Sequence, residues 1–188
     1  MRLLAGLAAG VLLMSACGGA ATAPTSAPTV AATVAPTPAP TPETKFTFIA
    51  DLKTSNEVPA IASPEATCTG KGTFTLDTTK SSTGTITAAT AQFDLTVSGC
   101  PTTTEITLFH IHKQVAGQNG SVVVNSGQVA ANAIKLTTGG TSAPVVKSGI
   151  TVTPELATEI IAGPSGFYFN VHSLLHGGGV VRGQLVKG

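Results

Sequence analysis

From Lys45 onward apolar and polar side chains alternate in short runs, the period-two pattern of half-buried strands. Phe46 to Leu52 puts Phe46, Phe48, Ala50 and Leu52 on one face, and Ser55-Asn56-Glu57-Val58-Pro59 then leaves the sheet. Further strands are predicted over 72–77, 83–88 and 92–97, the last ending at the turn Ser98-Gly99-Cys100-Pro101. A fifth runs from Glu105 to His112, where His110 and His112 share a face with Leu108 and Ile106 while Phe109 and Ile111 point the other way. Apolar residues on both faces make that strand central. Gln118-Asn119-Gly120 turns into Val122-Val123-Val124, a short strand is expected at 135–137, and 167–172 and 180–186 are the last two strands. One helix interrupts them: Thr153 as N-cap, Pro154 in the first turn and Gly163 at the end frame Leu156 to Ala162. The pattern predicts an all-β domain over 45–188, a Greek-key-like antiparallel β-sandwich with one short connecting helix.

The first 44 residues follow other rules. Arg2 and the apolar run Leu3 to Leu13 lead to Met14-Ser15-Ala16-Cys17, the layout of an export signal. This ending resembles a bacterial lipobox, with Met14 in place of the more usual Leu, and implies that Cys17 is lipidated and becomes the first mature residue. An ordinary secretory signal cut nearby is the alternative. The apolar run falls short of the roughly 20 residues needed to span a bilayer. Either processing route places the rest of the chain outside the cytoplasm, with the membrane as a partner through the lipid. Residues 18–44 are almost wholly Ala, Thr, Pro, Ser and Val, a disordered stalk with extended polyproline-like character.

Export changes how the cysteines read. With Cys17 set aside, Cys68 and Cys100 form an even pair in an oxidising compartment, and a disulfide is expected between them, the alternative being two unpaired thiols. Charge narrows the partners: 10 Lys and Arg against 9 Asp and Glu, with no basic cluster, argue against nucleic acid.

All four histidines fall in two segments, Leu108 to His112 and Asn170 to His176, which makes them the leading candidate site. His110 and His112 on one face, with His172 and His176 closing the other motif, form a candidate set for copper or zinc, both of which suit imidazole. Tyr168, Asn170, Arg182 and Glu57 are candidate lining residues. The competing expectation is purely structural: His110, His112 and His172 partly buried and hydrogen-bonded to Asn170, Tyr168, backbone or each other. His176-Gly177-Gly178-Gly179 is similar to the oxyanion loop of lipases, but the chain has no Gly-x-Ser-x-Gly elbow. Asp51, Glu57, Glu65, Asp77, Asp94, Glu105, Glu155 and Glu159 form no catalytic motif, and no phosphate-binding glycine loop is present. No cofactor is required by any motif, and no catalytic set is complete.

The ordered combination Asn56-Glu57-Val58-Pro59, Gly70-x-Gly72, His110-Ile111-His112, Tyr168-x-Asn170-Val171-His172 and Gly178-Gly179-x-x-Arg182-Gly183-Gln184-Leu185 resembles the CHRD domain, named for chordin. The resemblance covers 45–188 and implies a secreted or cell-surface β domain of the kind found in chordin-like binders of extracellular signalling proteins and in bacterial surface proteins. Val180 stands where the family often has Glu, and Phe169 where a smaller residue is common. Phe109-His110-Ile111-His112 also resembles the Phe-His-Val-His strand of copper/zinc superoxide dismutases, in which two imidazoles ligate copper, and Arg182 matches an arginine near that site. The remaining dismutase ligands have no counterpart that aligns. The expected function is a membrane-anchored extracytoplasmic binding module, non-enzymatic, contacting an extracellular protein or matrix ligand. The alternative is a copper- or zinc-binding surface protein, with superoxide-dismutase-like redox chemistry as its furthest extension.

Overall fold

The computed structural model describes residues 43–62, 64–137 and 140–188. The signal and lipobox with Cys17, and the stalk through residue 42, lie outside the described residues. The strands are β1 (Lys45–Lys53), β2 (Thr69–Lys80), β3 (Ile86–Ser98), β4 (Glu105–Lys113), β5 (Ser121–Asn125), β6 (Ile134–Lys135), β7 (Val145–Val152), β8 (Phe167–Ser173), β9 (Val181–Gln184) and β10 (Val186–Lys187). All named pairings are antiparallel, in the order β5-β4-β8-β9-β1-β2-β3-β7, with β10 on β1 and β6 on β4. The domain is therefore all-β as expected. Its strands form one sheet that folds over a shared core.

The aromatic side chains show how it folds over. Phe48, Phe74 and Phe93 run across β1, β2 and β3, and Phe93 then meets Phe109 of β4 at 5.8 Å and Phe169 of β8 at 5.5 Å between ring centroids. β3 and β8 are far apart in strand order, so these contacts cross the core between the two halves of the sheet. Gly72 leaves the room: a Cβ there would sit 2.7 Å from the Phe169 ring. Each buried phenylalanine contributes roughly 1.5–3 kcal/mol, so this cluster is a main source of cohesion.

The disulfide joins Cys68 to Cys100 and clasps the open end of the β2–β3 hairpin, where Thr69 pairs with Ser98. Helix α1 (Pro154–Ala162) has its Thr153 hydroxyl accepting from the Leu156 N–H at 3.3 Å, and it buries Ala157 and Ile160. Among the described residues no helix is long and apolar enough to cross a membrane.

Three expectations change. The strands expected at 83–88 and 92–97 are one strand, β3, which β2 pairs almost from end to end. β7 was not expected: Ser148 and Gly149, where φ is +74°, lie at a bulge against β3 that breaks the alternation. Ile106 does not share the histidine face. The β4–β8 register slips between Ile106 and Leu108, which resets the alternation and sends Ile106 into the core with Phe109 and Ile111.

Candidate functional site

β8 is buried along its whole length, which requires cover on both faces. Phe167, Phe169 and Val171 enter the apolar core, and Tyr168, Asn170 and His172 alternate onto the opposite face. On that face β4 and β9 bring up their own polar residues in register. His110 stands opposite Asn170, His112 opposite Tyr168, and Arg182 opposite Asn170 on the other side. Apolar packing on one side thus fixes a polar row across three strands on the other.

Three loops roof the row. The 114–120 segment supplies the Gly120 carbonyl, which accepts from His112 Nδ1 at 2.9 Å, and the 174–180 segment supplies the Gly177 carbonyl, which accepts from His172 Nδ1 at 3.0 Å. A carbonyl only accepts, so each Nδ1 carries the proton and each Nε2 keeps its lone pair. Both Nε2 atoms are buried without a partner, as is Nδ1 of His110. One ring nitrogen from each of the three residues lies within 4.8 Å of the others. The ring centroids are 4.8 Å apart for His110 and His172 and 5.5 Å apart for His110 and His112.

This environment keeps the imidazoles neutral. Burial, helped by His172 and His112, pushes the His110 pKa down to about 4. His112 is lowered by burial and by the Arg182 charge, against the Gly120 bond. His172 is lowered by burial and by His112, against the Gly177 bond. Neutral imidazole is the form that ligates a metal, and a second-sphere carbonyl on Nδ1 is the usual means of aiming Nε2.

The third loop, residues 54–62, brings Glu57 to the same layer. Arg182 donates from Nε to the Asn56 carbonyl at 2.5 Å, and from Nη1 to the Gln118 carbonyl at 3.2 Å and Asn119 Oδ1 at 2.9 Å, so it ties two roof loops to β9. Its guanidinium lies 4.8 Å from the Tyr168 ring centre, and Tyr168 stacks on His112 at 4.8 Å. The Glu57 carboxylate stands 3.8 Å from Arg182 Nε, an ion pair too long for a hydrogen bond. Burial raises the Glu57 pKa to about 7 against the lowering pull of Arg182.

The structure thus brings together His110, His112, His172, Tyr168, Asn170, Arg182 and Glu57. His176 is not in the three-histidine group: its Nδ1 pairs with Glu65 Oε2 at 2.5 Å, and Glu65 also accepts from Ser173 Oγ at 2.6 Å. Burial acts to raise the Glu65 pKa, but the bonds from Ser173 and His176 and the His176 charge hold it below the usual value. Sequence reasoning missed Glu65, 111 residues from its partner, and the carbonyls of Gly120 and Gly177. Only the Asn-Gly and Gly-Gly turns hinted at the carbonyls.

The model of a family described as the CHRD domain matches residues 48–185, a span from β1 to the end of the β9 segment that includes every residue of the row. No curated protein and no solved structure matches the chain.

Proposed function

The chain belongs to the CHRD domain family, and from that premise we propose that it is a lipid-anchored, extracytoplasmic module whose buried histidine triad holds a copper or zinc ion. The observation that carries the metal reading is the set of three unpaired nitrogens on His110, His112 and His172, two of them aimed by carbonyls behind their rings. Leaving a buried polar atom unsatisfied costs roughly 1–3 kcal/mol, and one ion bound by all three would remove that cost at each. Three imidazoles with no thiolate and no carboxylate among them suit copper and zinc. Between the divalent ions Cu(II) has the higher intrinsic affinity.

Isothermal titration of metal-free protein with Cu(II) and Zn(II) tests the reading. One equivalent is expected to bind, and the site to be lost when His110 and His112 are both replaced by Ala. Equal binding by the double variant would refute it. Metal content of protein purified from its native compartment identifies the ion.

Support for the anchor comes from the sequence alone, through Met14-Ser15-Ala16-Cys17 and the Pro-rich segment after it. Cys17→Ala is expected to shift the protein from the membrane to the soluble fraction. A second reading, contact with an extracellular protein or matrix ligand, is favoured by Leu174 and Leu175. These adjacent leucines are 73% and 60% exposed, on the loop that also carries the Gly177 carbonyl. Loss of cell-surface binding on replacing both with Ser would support it. The two readings are compatible in one module.

A further inference from the structure

The row does not end at the histidines. Beside them, Glu57 Oε1, Asn170 Oδ1 and Arg182 Nη2 are also buried and without a partner. Their residues are 6%, 2% and 2% exposed. A carboxylate oxygen, an amide oxygen and a guanidinium N–H left bare together amount to two acceptors and one donor facing no protein group.

The first two meet at one glycine. Gly179 adopts φ +132°, and a Cβ there would lie 2.7 Å from Asn170 Nδ2, 2.9 Å from Asn170 Oδ1 and 2.8 Å from Glu57 Oε1. Only glycine fits where the 174–180 segment packs its backbone against these two side chains. The orphaned groups adjoin the triad through the strand register, because Asn170 pairs with His110 on one side and with Arg182 on the other. Outside Gly179 lies a cleft of about 490 Å³, whose wall includes Glu57, His176 and the Gly177 to Gly179 loop.

We propose that the ion held by His110, His112 and His172 keeps an exchangeable oxygen ligand, a bound water, among the orphaned polar atoms of Glu57, Asn170 and Arg182. This rests on the metal reading above. The hydrogen-bond count selects the ligand. A metal-bound water gives one lone pair to the ion, donates its two O–H groups to Glu57 Oε1 and Asn170 Oδ1, and offers its remaining lone pair to Arg182 Nη2. Three protein ligands with a fourth position left to water is the arrangement of an open metal site, whereas a closed structural site takes all four ligands from the protein. A small monoanion can displace that water, since Arg182 supplies a positive charge beside the position. The Glu57 carboxylate opposes the exchange while it is ionised.

The test uses full-length protein loaded with one equivalent of Cu(II), with azide as the displacing probe and copper content measured in the same samples. The wild type is expected to show strong proton couplings in the electron spin resonance of copper, larger than those of the remote imidazole N–H groups, that vanish in D2O. Added azide should produce a charge-transfer band and remove those couplings. At about pH 8.5, where the Glu57 carboxylate is ionised, Glu57→Gln keeps the shape and removes the negative charge, so azide should bind at least roughly fivefold more tightly. Protein that takes up no copper overturns the metal reading. Copper bound without these strong exchangeable couplings and without an azide response overturns the open position alone, and unchanged azide affinity in Glu57→Gln overturns its placement beside Glu57. The D2O measurement needs no variant and stands even where a substitution disturbs folding.

Discussion

Replacing His110 by Leu in the metal-free protein separates what the triad costs from what it does. The imidazole is 6% exposed, its Nδ1 has no partner, and its neighbours are two more imidazoles at centroid distances of 4.8 and 5.5 Å. Leu has similar volume and no polar atom, so at pH 7.5 the variant should be more stable by about 1–3 kcal/mol, less any repacking strain. The pH dependence is sharper. Folding lowers the His110 pKa from 6.5 to about 4, so acid protonates the unfolded chain first. The neutral group's contribution is complete above pH 6.5 and is lost as pH falls through that value toward 4. By pH 4.5 the loss is about 2.5 kcal/mol. Glu57 has the opposite sign: with its pKa raised from 4.5 to about 7, its contribution is present below 4.5 and fades as pH rises to 7. Both proteins carry Glu57, so the difference between them isolates His110. Urea unfolding in chelator at pH 7.5 and 4.5 should show the stability gap widening by about 2.5 kcal/mol in acid. A gap that stays constant between the two pH values would refute the reasoning.

Other perturbations probe the frame around the site. Replacing Cys68 and Cys100 together by Ala opens a link with a sequence separation of 32 and should cost roughly 3–4 kcal/mol in denaturant unfolding, the same loss that reductant produces in the wild type. Gly72→Ala drives a methyl into the Phe169 ring and should cost about 1–3 kcal/mol, and a neutral result would mean that β2 and β8 can part without penalty. Thr153→Ala removes the helix cap and should lower stability by about 1 kcal/mol with copper binding unchanged, because the Thr153 hydroxyl bonds the helix's own Leu156 N–H and no residue of the row.

Local patterns were legible in the sequence where neighbours in the chain decide them. Alternation in Phe46 to Leu52 foretold the inward face of β1, Thr153, Pro154 and Gly163 framed the helix, and Cys68 with Cys100 gave the disulfide. The failures occurred where pairing overrides local preference. Ala89-Thr90-Ala91 has little strand propensity of its own and reads as a break, yet β2 pairs through it without interruption. No strand was expected across Ser148-Gly149, where β7 carries its bulge. At the site, the shared face of His110 and His112 follows from strand period. The grouping of His172 with them and the turning away of His176 do not. The first depends on the β4–β8 register, and the second on Glu65, which arrives from a loop with no signal of its own.

A chain with few charges has nonetheless placed a carboxylate, a guanidinium and three imidazoles in one buried layer. For stability alone this is a poor arrangement. Buried ion pairs rarely outperform apolar groups of the same volume, and the Glu57–Arg182 pair at 3.8 Å lacks the direct hydrogen bond that would best offset its desolvation. The apolar alternative lies one residue away along each strand, where Phe109, Ile111, Phe169 and Val171 form a dry core. Core and polar row therefore have different origins: the first follows from folding, and the second lowers stability unless a ligand occupies it. Binding to the folded state alone raises apparent stability with ligand concentration. Copper or zinc should accordingly protect the wild type against urea and leave His110→Leu unprotected, so the variant that is more stable without metal becomes the less stable one once metal is in excess.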